Sequence, residues 1–281
     1  MLILHASDLQ IGKPYRPRVA EALLDFAQDL APDLVVLAGD LTQRAKVREY
    51  QIARRLLADL GPIPVVVTPG NHDVPLYRIW ERVLRPYRNW RAFVGPELDT
   101  VTRIPGATLV ALNSSAPRRA IVSGHISAAQ VRWAAGAFEE VPEDDARILV
   151  IHHHFVATPD RTGGSPLRGG GELLRQFESM GVDVILGGHV HQTHLTTSRA
   201  LVPGPGAGIP LIACGTTTSS RGRGPEAGEN AVNVIRVEDA VVHVTPHRFD
   251  PQTSGFRPLA AHAFPRPGGR AVSSRGRGGS S

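Results

Sequence analysis

Short runs of apolar residues alternate with longer segments of mixed polarity along most of the chain. The runs are continuous, which is typical of strands that are buried on both faces of a sheet. Between them apolar residues recur at helical spacing, as over 17–30 and 45–59. This rhythm predicts parallel strands joined by right-handed crossovers, and so an α/β fold. The runs lie at 2–6, 34–38, 63–67, 148–151 and 182–186.

The rest of the chain has a less regular pattern. It predicts strands near 100–104, 108–112 and 211–213, helices near 127–138 and 171–179, and a hairpin over 232–237 and 240–244. From Pro251 onward the chain is rich in Pro, Gly, Ser and Arg, a composition typical of disorder. We therefore expect one domain over residues 1–250 and a disordered C-terminal tail over 251–281.

The charge of the chain first suggests a nucleic-acid partner. The 281 residues carry a formal net charge of +5, and the pI is about 10. Five arginines and no acidic residue lie after position 250, so the first 250 residues are neutral overall. We therefore expect no nucleic-acid partner beyond weak contacts made by the Arg/Gly tail.

Composition also indicates a cellular compartment. Cys214 is the only cysteine, which excludes an internal disulfide and favours a reducing compartment. No apolar run reaches the ~18–20 residues of a membrane span. The first residues lack the basic and apolar regions of a signal peptide. These features predict a soluble, cytoplasmic protein without a membrane partner, and they leave the oligomeric state open.

Residues of the kinds that bind metals follow each of the five buried strands. The carboxyl ends of parallel strands meet at one edge of a sheet, so we expect these side chains to come together. Mixed oxygen and imidazole ligands suit Mn, Fe, Co or Zn better than Mg or Ca. The candidates are Asp8, Asp40, Asn71, His72, Asp73, His152, His153, His154, His189 and His191.

Each candidate cluster taken alone has a purely structural explanation. Asp8 and Asp40 could end a strand or begin a turn, and Asn71 after Pro-Gly could be a turn residue. The His152–His154 run could be a solvated tract. The order of the clusters, each at the end of a buried strand, favours the metal site over these separate explanations.

The motifs Gly39-Asp40, Gly70-Asn71-His72-Asp73 and Gly188-His189-Val190-His191, together with Asp8, give the chain a known signature. It resembles the calcineurin-like metallophosphoesterase superfamily from residue 1 to about 250, and the bacterial cyclic-nucleotide-phosphodiesterase-like group most of all. The resemblance implies a four-layer α/β/β/α sandwich with two mixed β-sheets and a dinuclear metal site at one end.

The resemblance also implies a role for each matching residue. Asp40 would bridge two divalent cations. Asp8 and His191 would complete the first site, and Asn71, His153 and His189 the second. His153 is chosen because HHF matches the family's usual HHP, and His152 or His154 stays open as the ligand. His72 would contact the phosphate or the leaving oxygen, with Asp73 orienting its ring.

The chain departs from the family at Gln10. The usual first motif is Asp-x-His, whereas this chain has Asp8-Leu9-Gln10. An amide oxygen binds a metal more weakly than an imidazole nitrogen. Three outcomes follow: a dinuclear site with a weakly held first metal, Gln10 outside the ligand shell, or activity with a single tightly held metal. We favour the first, and so count Gln10 among the ligands.

These features predict an enzyme that hydrolyses a phosphodiester or phosphomonoester with a metal-bridging hydroxide. A small phosphoester is the expected substrate, with a cyclic nucleotide as one candidate. Two alternatives stay open. HASDLQIGK is similar to the opening of the double-strand-break repair nucleases of this superfamily, and a non-catalytic scaffold could keep the same fold. A scaffold would take up no metal and would not hydrolyse an activated diester.

Overall fold

The computed structural model describes residues 1–118, 122, 124–161 and 164–267. This part of the chain forms thirteen strands and six α-helices. The strands are β1 (Leu2–Ala6), β2 (Leu34–Leu37), β3 (Val65–Val67), β4 (Thr100–Ile104), β5 (Ala107–Leu112), β6 (Ala146–Ile151), β7 (Val184–Gly187), β8 (His194–Thr197), β9 (Pro210–Ala213), β10 (Ala231–Val237), β11 (Val241–Asp250), β12 (Gly255–Pro258) and β13 (His262–Pro265). The helices are α1 (Pro17–Leu30), α2 (Val47–Asp59), α3 (Ile79–Leu84), α4 (Arg88–Phe93), α5 (Ala128–Glu139) and α6 (Gly170–Ser179).

Two mixed sheets contain these strands. The first has the order β12-β11-β10-β1-β2-β3, and β13 also pairs with β11. Its strands β1, β2 and β3 are parallel, as their apolar runs predict, while β10 and β11 form the predicted antiparallel hairpin. The second sheet has the order β4-β5-β6-β7-β9-β8. Its four central strands are parallel, and its two edge strands are antiparallel to their neighbours.

The sheets stack face to face, and helices cover both outer faces. Alternate residues of β1 and β2, such as Ile3 and Val36, pack against Ile148 and Leu186 of the second sheet. The residues between them face the other way, onto α1 and α2. Helices α5 and α6 cover the second sheet. This packing explains why the strands are apolar on both faces, and it confirms the predicted α/β/β/α sandwich.

The prediction of a disordered tail is wrong for the first part of that segment, residues 251–267. Strand β11 extends to Asp250, and the next residues form β12 and β13, which both pair with β11. Two apolar residues, Phe256 and Phe264, pack against the core clusters. Arg266 is almost fully buried and lies 3.1 Å from Asp183. The pairing covers an otherwise open sheet edge. Residues 268–281 lie outside the described residues.

The three tryptophans differ in their environments. Trp90 on α4 is buried. Trp80 on α3 is 79% exposed and Trp133 on α5 is 42% exposed. Among the described residues, no helix combines the length and the apolar character that a membrane crossing would need.

Strand β1 also carries a histidine into the core. His5 is fully buried, and its Nδ1 lies 3.4 Å from Nδ2 of Asn233 on β10. Burial lowers the pKa of His5 to about 3, although a backbone hydrogen bond and the charge of Asp8 act in the opposite direction. His5 is therefore a neutral core residue between two strands.

We expect Phe256→Ala to lower the free energy of unfolding by about 3 kcal/mol. The Phe256 ring lies 5.6 Å from that of Phe26 and 5.7 Å from that of Phe249, so its removal leaves a cavity under α1. Urea denaturation measures the change. Leu259→Ala in the same segment is the control, since Leu259 is 43% exposed and its loss should cost under about 0.5 kcal/mol. If both substitutions changed the free energy of unfolding by a negligible amount, this segment would be disordered.

We expect His5 to make the metal-free protein sensitive to acid. The unfolded chain binds a proton at His5 near pH 6.5, whereas the folded chain does not until about pH 3. His5 alone therefore costs stability as the pH falls below 6.5, by about 2 kcal/mol between pH 7 and pH 5. The buried His153, His154 and His189 add to this loss. Urea denaturation in EDTA at both pH values should show that His5→Asn removes the part of the loss that is due to His5. The control His262→Asn, at an exposed histidine, should lose as much stability between the two pH values as the wild-type protein does. If His5→Asn also loses as much as the wild type, the assignment to His5 is wrong.

Candidate metal centre

The predicted ligands converge where the parallel strands of both sheets end. Two loops join this edge through the backbone: Asp8 N donates to Gly39 O at 3.1 Å, and Gln10 N donates to Asp40 O at 2.8 Å. A further hydrogen bond connects these loops to the second sheet, because His189 N, just after β7, donates to Asp8 Oδ2 at 2.9 Å. The strand-end pattern thus brings side chains from distant parts of the chain into one cluster.

Five of the candidates have strained backbones. Non-glycine residues rarely adopt a positive φ, which costs on the order of 1 kcal/mol each. Of the nine that do so among the described residues, five are candidate site residues. Such strain persists only where the surrounding structure enforces it, and it concentrates at functional sites. The five are Asp8 (54°), Gln10 (46°), Asp40 (54°), His189 (73°) and His191 (59°).

Two carboxylates and one imidazole form the first ligand group, which consists of Asp8, Asp40 and His191. Their ligand atoms all lie within 4.8 Å of one another, and all three residues are buried. His191 Nε2 is 3.2 Å from Asp8 Oδ1, an oxygen with no hydrogen-bond partner among the described residues. His191 Nδ1 lies 2.8 Å from the carbonyl oxygen of Arg221, which leaves Nε2 to face the carboxylates. The group fits a divalent cation.

Gln10 borders this first group. Its Nε2 lies 3.3 Å from Asp40 Oδ2 and 3.1 Å from His191 Nε2. An amide binds a metal through its oxygen, so ligation requires the amide plane to turn by 180° and place Oε1 there. The side chain is therefore in position for the predicted role, in the opposite amide orientation.

Asp40, Asn71, His152 and His189 form the second ligand group. Asn71 Oδ1 lies 2.9 Å from His189 Nδ1 and 3.3 Å from His152 Nε2. His152 Nε2 is also 3.4 Å from Asp40 Oδ1. His189 Nε2 is buried and has no hydrogen-bond partner among the described residues. Like the first group, this one combines oxygen and nitrogen atoms of buried side chains.

The histidine in this group is His152 and not His153, which the resemblance favoured. His152 Nδ1 lies 2.6 Å from the Ala38 carbonyl oxygen, and this backbone contact turns Nε2 toward Asp40 and Asn71. Histidines that bind metals commonly donate their other ring N–H in this way. His153 Nδ1 instead lies 2.7 Å from Ser114 Oγ. The His153 ring lies beside the group, with its centroid 4.5 Å from that of His189, but no contact joins it to Asp40 or Asn71 among the described residues.

Asp40 and His152 stabilise each other's charged forms. Burial opposes ionisation of Asp40, but the neighbouring His152 and His72 hold the pKa of its carboxyl group well below its usual range. The charge of Asp40 in turn raises the pKa of His152 to about 9, against the effect of burial. Burial and nearby histidines lower the pKa of His189 well below its usual range. A neutral His189 keeps the lone pair that metal binding requires.

His72 lies beside the ligands, but Asp73 does not orient its ring as predicted. The Asp73 carboxylate accepts hydrogen bonds from the backbone N–H groups of Leu41, Thr42 and Gly70, so it holds the loops together. The His72 ring instead has Nδ1 3.0 Å from the Gln43 carbonyl oxygen. Its backbone N–H donates to Asp40 Oδ1 at 2.8 Å.

Arg221 is a residue of the centre that the motifs did not indicate. Its Nη1 lies 3.2 Å from His72 Nε2 and 3.3 Å from Gln43 Oε1. It belongs to the glycine-rich loop over 221–229, which contains none of the predicted ligands, so only its charge could have marked it. The guanidinium group adds a fixed positive charge next to the candidate ligands.

Two glycines of the motifs are required by close contacts. A Cβ atom at Gly70 would lie 2.1 Å from Asp40 Oδ1, and one at Gly188 would lie 1.7 Å from Ser7 Oγ. Ser7 Oγ donates to Asp8 Oδ2 at 2.7 Å and so orients that carboxylate. Any larger residue would displace the carboxylates, which explains why glycine precedes Asn71 and His189.

Comparison of the sequence with known proteins identifies the family. A model of the calcineurin-like phosphoesterases matches residues 1–193. The chain is 30% identical over 185 residues to a probable cyclic nucleotide phosphodiesterase of Synechococcus sp., which covers 64% of this chain and 65% of that protein. It is 26% identical over 180 residues to a probable glycerophosphodiester phosphodiesterase of Arcobacter nitrofigilis, which covers 61% of each. The matched segment thus spans less than two thirds of these relatives.

Solved structures share the fold. A dimetal phosphatase from Danio rerio matches with a TM-score of 0.63 at 12% identity, covering 95% of this chain and 99% of that one. A purple acid phosphatase from yellow lupin (Lupinus luteus) matches with a TM-score of 0.67 at 13% identity, covering 95% of this chain and 54% of that one. The family model covers well over half of the chain and includes the ligand motifs, so the chain belongs to the calcineurin-like phosphoesterase family.

Proposed function

We propose that this protein is a metal-dependent phosphoesterase that hydrolyses phosphodiesters with two divalent cations. The observation that carries the proposal is the burial of two carboxylates and one imidazole, those of Asp8, Asp40 and His191, around one small volume. Buried charges of one sign need a compensating charge, and oxygen and imidazole ligands suit Mn, Fe, Co or Zn. The two relatives are named as probable phosphodiesterases, which supports a diester as the substrate.

The shared ligand in this proposal is Asp40. Its Oδ2 faces Gln10 of the first group, and its Oδ1 faces His152 of the second. A carboxylate whose two oxygens are directed to different groups could hold one cation on each side. Asp8, Gln10 and His191 would then complete the first site, and Asn71, His152 and His189 the second.

Bound cations would supply a hydroxide nucleophile near neutral pH and neutralise charge on the phosphoryl oxygens. The residues of the chain do the remaining work. Arg221, next to His72, would stabilise negative charge that develops on the phosphoryl group. His72 Nδ1–H donates to the Gln43 carbonyl oxygen, and Nε2 accepts from Arg221. His72 would protonate the leaving oxygen through Nε2 only once the Arg221 guanidinium group had moved from Nε2 to the phosphoryl group.

Among phosphodiesters, a cyclic nucleotide is the candidate that the Synechococcus relative suggests. A glycerophosphodiester is the candidate suggested by the Arcobacter relative. Both substrates present one phosphodiester to the metals, and the proposed ligands and His72 would act on either. The proposal therefore concerns the reaction, and the walls around the centre determine which ester is preferred.

We expect the protein to hydrolyse bis(p-nitrophenyl) phosphate when it is supplied with Mn²⁺. Asn71→Ala and His152→Ala should each lower kcat/KM at least about 10²-fold, because bound cations supply several kcal/mol to the reaction. Metal content, measured on the same samples, should fall with the activity. His153→Ala is the matched control, and it should keep its metal and stay within about tenfold of the wild-type rate.

Two results would contradict this assignment in different ways. If the His153 variant lost metal and activity while the His152 variant kept both, the choice of histidine would be reversed. If the wild-type protein took up no Mn²⁺, Fe²⁺ or Zn²⁺ and left the diester intact, the chain would be a non-catalytic scaffold.

A further inference from the structure

A large cavity opens directly beside the proposed catalytic residues. Its volume is about 880 Å³, within the usual range for small-molecule sites. His72 and Arg221 form the wall next to the metal centre. Four further cations, Lys13, Arg44, Lys46 and Arg78, line the rest of it, and of these Arg78 is paired with Glu81.

The positive charge of this cavity is compensated only in part by the described residues. Among the described residues, none of Lys13, Arg44, Lys46 and Arg221 forms an ion pair within 4.0 Å. The only carboxylate in the lining is Glu49, which is buried. Its Oε2 already accepts hydrogen bonds from the backbone N–H groups of Arg44 and Lys46, at 2.8 and 3.2 Å. Glu49 and the nearby Asp8 and Asp40 offset part of this charge. Lys13, Arg44 and Lys46 remain without an ion pair among the described residues, and such cations around one cavity attract an anion with more than one charged group.

The same cavity presents an aromatic surface. Tyr77 lines it and is 69% exposed, although the Arg44 guanidinium carbon lies only 4.3 Å from the ring centroid. Exposed aromatic rings beside cations are the features on which nucleic-acid bases stack. The lining therefore offers contacts to a base as well as to phosphates.

We propose that this cavity binds a second phosphate group of the substrate, and that the preferred substrate is a nucleotide phosphodiester with one more phosphate beside the scissile one. A 5′-phosphorylated linear dinucleotide is such a compound. Arg221, in contact with His72, would serve the scissile phosphate, while Lys13, Arg44 and Lys46 would hold the second phosphate and Tyr77 a base. This inference rests on the proposed function. We expect a 3′,5′-cyclic mononucleotide to be a poorer substrate, because its single phosphate leaves three of the cations unpaired.

The probes for the test are the dinucleotide TpT, which has one phosphate, and pTpT, which carries a second phosphate at its 5′ end. With Mn²⁺ present, wild-type kcat/KM should be at least about tenfold higher for pTpT. The double variant Lys13→Gln/Lys46→Gln should lose most of this preference. Both lysines are exposed, so their replacement should leave the fold intact. The preference should also shrink as salt is raised.

The matched control comes from a second basic cavity, of about 860 Å³, which is lined by Arg85, Arg88 and Arg118 among others. Arg88 is exposed, like the two lysines, and it does not line the cavity beside His72. Arg88→Gln should therefore keep the wild-type preference for pTpT. Equal loss in the Arg88 variant and the lysine variant would mean that general surface charge, and not this cavity, produces the preference.

Calorimetric titration of the metal-free wild-type protein with both dinucleotides separates the two proposals. Tighter binding of pTpT without hydrolysis of either compound would support the second-phosphate site while the proposed function fails. Hydrolysis of both at equal efficiency, with equal binding, would keep the proposed function and overturn the second-phosphate site. Failure of both compounds to bind would also overturn it.

Discussion

The structure depends on the burial of two carboxylates next to each other at one edge of a sheet sandwich. Asp8 and Asp40 are fully buried, and charges removed from water are costly unless they are compensated. In the protein alone, His152 provides part of the compensation, because Asp40 raises its pKa to about 9. Divalent cations would provide more, and they would also use the lone pairs of His189 and His191. The need for positive charge thus connects the geometry of the centre to the proposed chemistry.

The fold meets this need with backbone geometry that would otherwise be unfavourable. Parallel strands from two sheets end at the same edge, and the residues that follow them turn through positive φ angles to face one another. Glycines remove the Cβ atoms that would collide with the carboxylates. Asp73 ties three backbone amides together beneath the site. Arg44 follows Asp40 on one of these loops, and Arg221 contacts His72 from a separate loop, so the centre and the cationic cavity are adjacent.

Much of this could be predicted, because strand ends are visible as the points where apolar runs stop. Asp8, Asp40 and Asn71 all occur there. The choice between His152 and His153 could not be made, since the two-residue period of a strand does not say which face meets the other sheet. Arg221 contacts His72 from 149 residues away, and no local pattern encodes that. A tail rich in Pro and Gly concealed β12 and β13, and a neutral net charge concealed the cations of the cavity.

Diffraction at the manganese absorption edge, from crystals grown with Mn²⁺, tests the central claim most directly. We predict two anomalous peaks that share the Asp40 carboxylate, one beside His191 and the other beside His152 and Asn71. Peaks distant from Asp40, or a second peak bound by His153 in place of His152, would contradict the account.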